Sequence, residues 1–312
     1  MTKKGKTMLG RFGRDAGSLL GLEIASDSIR LLQLHRRRGR CGVAAWALEP
    51  LAGDAVRDGW IRDPEPVIAA LRRARHRAGS PQHRVAVAIP GSQVISKVRR
   101  LSASLSDAQM EAQLLAEADQ FIPFPLEDTA LDFQVLGPCQ AQPDQVDVVV
   151  AACRQSHLDP FEQVLEAAGL KARLVDIDSH ALQRVLPVTE PTAALLQLEA
   201  DRTTLHAWIG GPLPVRQELR LDPAQATSVA PGVEPWLRCA LQGTSLDVLL
   251  LAGAGAARGE LAMQLQASLG IPTRVLEPLA GLDLRTLADA EALDGVGSSM
   301  ALACGLAMGG LR

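Results

Sequence analysis

Residues 106–136 read SDAQMEAQLLAEADQFIPFPLEDTALDFQVL, and the fold turns on how this stretch changes direction. Ser106 and Gln109 form a capping-box pair, in which each side chain can satisfy one orphan amide at a helix start. Met110, Leu114, Ala118 and Phe121 then recur at helical spacing, while Glu111, Glu117 and Asp119 face elsewhere. Pro123 and Pro125 disfavour helical backbone in the residues before them and remove amide donors, so the helix is expected to stop by Ile122. Leu131, Phe133 and Val135 alternate with Asp132 and Gln134, the period of a half-buried strand. The stretch is helix, rigid proline turn, strand. Local chemistry alone describes a corner, and leaves open whether the corner also binds something.

The bulk numbers narrow the setting. At 312 residues the chain can form two packed lobes around a large core, and 47% hydrophobic with 21% charged residues is ordinary for a folded soluble protein. A net charge of −3 argues against a dedicated nucleic-acid binder, which would show a basic domain. The five cysteines (41, 139, 153, 239 and 304) form no CxxC pair, and the six histidines have no metal-ligand spacing. A disulfide framework and a metal site are therefore not expected, and a reducing cytoplasm is. No apolar stretch is long enough to span a bilayer; Gly295 to Leu311 is glycine-rich and short of the length. No signal peptide is expected, because no continuous apolar run follows the basic start.

Residues 1–17 contain Lys3, Lys4, Lys6, Arg11 and Arg14 around Met8, Leu9 and Phe12. They are expected to be a basic tail, with weak attachment to an anionic membrane surface as the sharper alternative. Leu19–Ala25, Ile29–His35 and Gly42–Leu48 read as three meandering strands, followed by a helix at Glu65–Arg77 and a strand at Arg84–Ile89. A strand at Val94–Leu101, the corner, a Pro- and Gln-rich loop, a strand at Val146–Cys153, a helix at Ser156–Ala168 capped by Ser156, and Val175–Ile177 make a small α/β unit. After Pro187 the opening order returns. Three meandering strands (Ala193–Leu198, Thr204–Ile209, Pro214–Leu219) precede an apolar strand at Val248–Ala252, a helix at Gly259–Leu269 and a strand at Thr273–Leu276. The halves form a weak internal repeat of elements.

Five stretches resemble the PilM family of cytoplasmic, actin-like type IV pilus assembly proteins. Residues 117–136, EADQFIPFPLEDTALDFQVL, are similar to the family segment EAxxxIPFPLxxxxLDFxV. Residues 21–34, GLEIASDSIRLLQL, resemble its first phosphate loop, GIDISSxSVKLLEL, and residues 85–91, VAVAIPG, its VAVAVPGS strand. Residues 249–255, LLLAGAG, resemble its second-domain VLAGG loop, and residues 303–308, ACGLAM, its C-terminal helix. The resemblance spans nearly the whole chain. It implies an α/β, actin-like (FtsA-like) fold, a duplicated ribonuclease-H-like architecture with an inserted small α/β subdomain. The expected divisions are a tail at 1–17, a first subdomain at 18–90, an insert at 91–178 and a second lobe at 179–312 shortened between 220 and 247.

In that family a nucleotide lies between the lobes, and glycine loops suit this because their amides can point at phosphate. Carried over by position, ATP and Mg would meet Glu23, Ser26, Ser28, Gly253 and Gly255. The pattern is altered here: Glu23 stands for the usual aspartate, Ala25 for a serine, and Gln197-Leu198-Glu199 for the second loop's DIG. A carboxylate replaces an amide that would meet phosphate, so nucleotide chemistry is not expected and no cofactor is assigned. The resemblance also implies a partner. PilM-like proteins sit at the inner face of the cytoplasmic membrane and bind the N-terminal cytoplasmic peptide of PilN. The corner residues Phe121, Ile122, Phe124 and Pro125 are the expected groove wall, with Leu131 and Phe133 in the core. An assembly scaffold is the first reading; an ATP-binding switch or weak ATPase of the same fold, and an actin-like component of a type II secretion system, are the alternatives.

Overall fold

The computed structural model describes residues 18–37, 39–220, 229–257 and 260–311. The 1–17 tail and residues 221–228 of the interval expected to be shortened lie outside these. The first lobe opens with an antiparallel meander, β1 (Leu20–Ile24), β2 (Ser28–Arg37) and β3 (Arg40–Pro50), and a small hairpin of β4 (Val56–Arg57) and β5 (Trp60–Ile61). Helix α1 (Pro64–Ala78) follows. Asp63 caps it by accepting the Glu65 amide at 3.2 Å, proline fills its first position, and Gly79 ends it in the left-handed region at φ 62. Val67, Ala70, Leu71 and Ala74 face inward from α1. Strand β6 (Arg84–Ile89) then pairs in parallel with β1.

The chain crosses into a separate three-stranded sheet formed by β7 (Ile95–Ser102), β8 (Thr129–Cys139) and β9 (Gln142–Arg154), in the order β7-β9-β8, with α2 (Asp107–Ala116) packed on it. It returns through α3 (Gln155–Ala167) and β10 (Lys171–Ile177). Strand β10 pairs in parallel with β6, and α3 buries Leu158, Val164 and Leu165 in the same core as α1. The insert therefore ends near 154, and residues 155–177 belong to the first sheet. The boundary placed at 178 missed this because a parallel partner is distant in sequence. Two local expectations also change. The stretch at 137–145 read as a loop is the outer half of the β8–β9 hairpin. Ser156 does not cap α3; Arg154 is the cap residue, and the Asp128 carboxylate accepts the Ser156 amide at 2.9 Å from across the corner.

After α4 (Asp178–Gln183) the second lobe repeats the first. Strands β11 (Ala193–Leu198), β12 (Thr203–Trp208) and β13 (Val215–Leu219) form a meander. Helix α5 (Val229–Ala240), β14 (Val248–Ala252), α6 (Leu261–Leu269) and β15 (Thr273–Val275) follow, then α7 (Ala290–Gly295) and α8 (Ala301–Gly309). The first sheet runs β10-β6-β1-β2-β3 and the second β13-β12-β11-β14-β15. Read from their parallel ends the orders are the same: meander, strand parallel to its first member, strand parallel to that. The element repeat read from the sequence is thus a duplication of topology.

Helix α8 lies between the two sheets, in a core that takes Leu32, Leu34 and Ala86 from one and Leu195, Val248 and Leu250 from the other. Two close approaches of α8 to its neighbours, one to β1 and one to α4, each require a glycine. A Cβ on Gly21 would fall 2.0 Å from the Ala303 carbonyl, and one on Gly305 would fall 2.0 Å from the Ala181 carbonyl of α4. Among the described residues no helix is long and apolar enough to cross a membrane.

Candidate functional site

The duplicated meanders present two equivalent turns to each other. In the first, the Ala25 amide donates to the Ser28 carbonyl at 2.9 Å; in the second, the Glu199 amide donates to the Arg202 carbonyl at 3.0 Å. The turn tips touch, with Ser26 Oγ donating to Asp201 Oδ1 at 2.9 Å. Asp58, held at φ 54 in the β4–β5 turn, adds its amide to Asp201 Oδ2 at 3.2 Å. The first turn carries Ser26 and Ser28, two of the residues expected to meet phosphate.

What fills the space between the two turns is Arg30. It projects from β2, is 1% exposed, and crosses the lobe boundary to grip Glu199 with both ends of its guanidinium, at 2.9 and 2.6 Å. Its Nη1 also reaches Glu23 at 3.3 Å and the Ser299 carbonyl at 3.2 Å, and its Nε donates to Ser28 Oγ at 3.1 Å. Gln197 Nε2 closes the ring by donating to Glu199 Oε1 at 3.3 Å. A planar fork gripping one carboxylate through two donors is the strongest common form of such a pair. Burial pushes the Glu23 carboxyl up to about 7, against the pull of Arg30 and with the Glu199 charge adding to the rise. Burial also disfavours the charge on Arg30, but Glu199 and Glu23 outweigh it and hold the guanidinium more firmly protonated than usual.

The remaining expected phosphate contacts are engaged internally. The Gly253 amide donates to the Ser298 carbonyl at 2.9 Å and the Gly255 amide to the Leu198 carbonyl at 3.0 Å. A Cβ on Gly253 would sit 2.4 Å from the Leu198 carbonyl and 2.7 Å from Glu199 Oε1, so this glycine permits contact between lobe segments. The cleft bordered by Glu23, Ser26, Asp178, Glu199, Asp201 and Arg216 leaves about 40 Å³, room for a few waters. At its base the Asp178 carboxylate accepts the Gly91 amide at 3.0 Å and Arg216 Nε at 3.2 Å. Ser179 Oγ lies 2.8 Å from His206 Nδ1. Burial drives the His206 ring down to about 4, so it is neutral near pH 7. Motif spacing does not single out Arg30, Asp178, Asp201 or Arg216. Arg30 alone left a sequence signal, a charge inside the apolar run Ile29–Leu34.

The corner is built differently. Helix α2 starts at the expected capping box, the Ser106 amide donating to Gln109 Oε1 at 2.9 Å, but ends at Ala116, six residues before Ile122. A 3₁₀ turn at Ala118–Gln120 takes over. Its tighter winding brings residues three apart onto one side, so Ala118, Phe121 and Ile122 all enter the insert's core. Phe121 and Ile122 are thus buried beneath the corner, and the surface is left to half-buried Phe124, exposed Pro125 and Leu126, which is 47% exposed. Arg154 lies over the Phe124 ring at 5.1 Å and Arg99 over Phe121 at 5.4 Å. Leu131 is buried and Phe133 packs partly buried against the same core.

Beside Phe124 the two crossovers between the first sheet and the insert run together, because Ile95 pairs with Ala152 and Thr129 with Arg154. Asp128 ties this junction: besides the Ser156 amide it accepts Ser156 Oγ at 3.0 Å and Arg154 Nη1 at 3.2 Å. Those bonds, the Ser156 amide first, hold its carboxyl below the usual range. Trp60 packs edge-on against His157 at 4.4 Å. Among the described residues, both polar side-chain atoms of Gln93 and the Nδ1 of His157 are buried without a hydrogen-bond partner. The described residues contain no cluster of three or more potential metal ligands.

Comparison with known proteins fits this geometry. Residues 21–204 and 234–311 match a family model described as type IV pilus assembly protein PilM. The chain is similar to the solved structure titled PilM-PilN type IV pilus biogenesis complex, at 24% identity and a TM-score of 0.78 over 95% of this chain and 99% of that chain. It is also similar to ethanolamine utilization protein EutJ from Carboxydothermus hydrogenoformans, at 13% identity and a TM-score of 0.54 over 93% of this chain and 89% of that one.

Proposed function

Because the chain belongs to the PilM family of type IV pilus assembly proteins and has its actin-like fold, we propose that it is a non-catalytic scaffold of the pilus machine, working at the inner face of the cytoplasmic membrane. Its partner is a PilN-like membrane protein whose N-terminal cytoplasmic peptide docks at the junction of the first subdomain and the insert. The observation that carries this reading is a contrast between the two sites. Between the lobes every group expected to hold a nucleotide is bonded within the protein, with Arg30 locked to Glu199 where phosphate would lie. At the junction, half-buried Phe124, exposed Pro125 and exposed Leu126 present an apolar surface open to a partner.

An extended peptide suits that junction. An apolar side chain of the peptide can lie on Phe124 and Pro125. Phe121, Ile122 and Asp128 fix this wall from beneath and from the side, so docking orders few groups. Between the lobes, hydrolysis would need phosphate-facing amides and a metal-orienting acid. Here the amides of Gly253 and Gly255 face carbonyls, and Glu23 faces Arg30.

The test is a calorimetric titration of the full chain with the N-terminal peptide of its cognate PilN, with and without Mg-ATP. Saturable binding that ignores ATP is expected. Binding that appears only with ATP would make the protein a nucleotide switch, and micromolar Mg-ATP binding alone would overturn the closed-cleft reading. No peptide binding in either condition would remove the partner assignment.

A further inference from the structure

The first sheet ends in a basic rim. Strands β1, β6 and β10 all begin at one end, where Leu20 lies opposite Val85 and Lys171 opposite Arg84. Strand β2 ends and β3 begins beyond them, with Arg37 paired to Arg40. Helix α1 runs toward the same end and hands the chain to β6; Ser80 Oγ donates to Gln33 Oε1 at 2.6 Å, and the Lys171 amide to the His83 carbonyl at 2.8 Å. The rim therefore collects Arg36, Arg37, Arg40, Arg84, Lys171 and Arg173, of which Arg84 is half-buried and the others exposed.

Two of its contacts are like-charged pairs directly opposite each other, Arg37 with Arg40 and Lys171 with Arg84. Such pairs destabilise a sheet. The neighbouring acids relieve them only in part: Asp283 attracts the Arg40 charge without bonding it. Among the described residues no salt bridge reaches any of the six. Asp283, beside Arg40, is held by Arg285 at 2.6 Å, and Glu49 by Arg73 and Arg77. In a chain of net charge −3, positive charge concentrated on one end in repelling pairs calls for anions from outside.

We propose that this rim is a docking surface for an anionic lipid bilayer, its arginines and lysine meeting headgroup phosphates. Lipid is favoured over nucleic acid by where the chain enters the fold. Ser18, the first described residue, lies at this rim, its carbonyl accepting Gln82 Nε2 at 2.6 Å. The sequence before it adds five basic residues interspersed with Met8, Leu9 and Phe12, a composition suited to a headgroup boundary. This surface is separate from the peptide junction and does not depend on it.

The experiment is co-sedimentation of the full chain with vesicles of phosphatidylcholine alone and of phosphatidylcholine with about a third phosphatidylglycerol, at low and high salt. Binding is expected only to the anionic vesicles, and to be lost at about 0.5 M salt as screening shortens the reach of the charges. Each basic residue removed should weaken binding about fivefold, so Lys171→Ala with Arg173→Ala, and separately Arg36→Ala with Arg37→Ala, should each cost about thirtyfold. Arg238→Ala with Arg274→Ala on the second lobe should change nothing. Equal binding to both vesicles, no binding to either, or rim variants that bind as wild type would overturn the proposal. Tighter binding to a duplex oligonucleotide than to the anionic vesicles at equal phosphate would assign the rim to nucleic acid instead.

Discussion

Removing Arg30 tests the closed cleft most directly. Arg30→Met keeps a long apolar stem in place but leaves Glu23 and Glu199 buried, with side chains 7% and 5% exposed, and no cation between them. Breaking a buried pair by deleting one partner costs about 3–5 kcal/mol, because the remaining charge is stranded. With a urea m-value of about 3 kcal/mol/M for a chain of this size, the midpoint of unfolding should fall by about 1–1.7 M. Tryptophan fluorescence reports it, since Trp208 lies in the core shared by the lobes. The penalty should also depend on pH. Glu23 titrates at about 7 with Arg30 present and must rise further without it. In acid the variant neutralises Glu23 at little cost, so the Glu23 share of the loss is small near pH 5 and grows toward pH 8. Replacing both partners, Arg30→Met with Glu199→Met, removes charge and counter-charge together and should recover most of the loss. An Arg30→Met penalty under about 1 kcal/mol, a penalty that ignores pH, or a double variant as unstable as the single would refute the clamp.

Phe124→Ala should weaken binding of the partner peptide by more than about 1 kcal/mol while leaving the unfolding midpoint nearly unchanged, whereas Phe121→Ala should cost about 3–5 kcal/mol of stability. Gly305→Ala forces a methyl to 2.0 Å from the Ala181 carbonyl and should destabilise by about 1–3 kcal/mol or more, visible as a lower Tm. His206 and Glu23 should give pH effects of opposite sign. On acidification the unfolded chain protonates its histidine at about 6.5 while native His206 waits until about 4, so its contribution is lost as pH falls through that window. Glu23 is protonated in the native state up to about 7 but in the unfolded chain only to 4.5, so its contribution falls as pH rises between those values. His206→Asn should therefore narrow its stability gap to wild type by roughly 2 kcal/mol between pH 7.5 and 5; a constant gap would contradict the buried neutral ring.

The sequence was most legible where local pattern and tertiary role coincide. Both meanders, α1 with its Asp63 and Gly79 ends, and the parallel strands after each meander carry their own period and punctuation. Where a partner is remote, the pattern misled. Strand β10 alternates Lys171, Ala172 and Arg173 before its apolar half, and nothing local says it joins β6. The arms of the β8–β9 hairpin are polar and hold Pro138, which a sheet edge tolerates and a sequence reading takes for a loop. Asp128 accepts an amide from the first turn of a helix that begins 27 residues later, at Gln155, by reaching across the corner.

The site shows the same division more sharply. Motif comparison located the two turns and flagged Glu199 as hostile to phosphate. It could not show that Arg30, 169 residues away in sequence, neutralises that carboxylate. Buried amides and a cation that meet no ligand have to be satisfied within the fold. Here a carboxylate from the second lobe takes the cation, and carbonyls take the glycine amides. The same bonds hold the lobes shut, since Ser26–Asp201 and Arg30–Glu199 each join one lobe to the other. A closure built from side chains needs no ligand to form. That leaves the corner of the insert, with Phe124, Pro125 and Leu126 at its surface, as the apolar wall a partner can still cover.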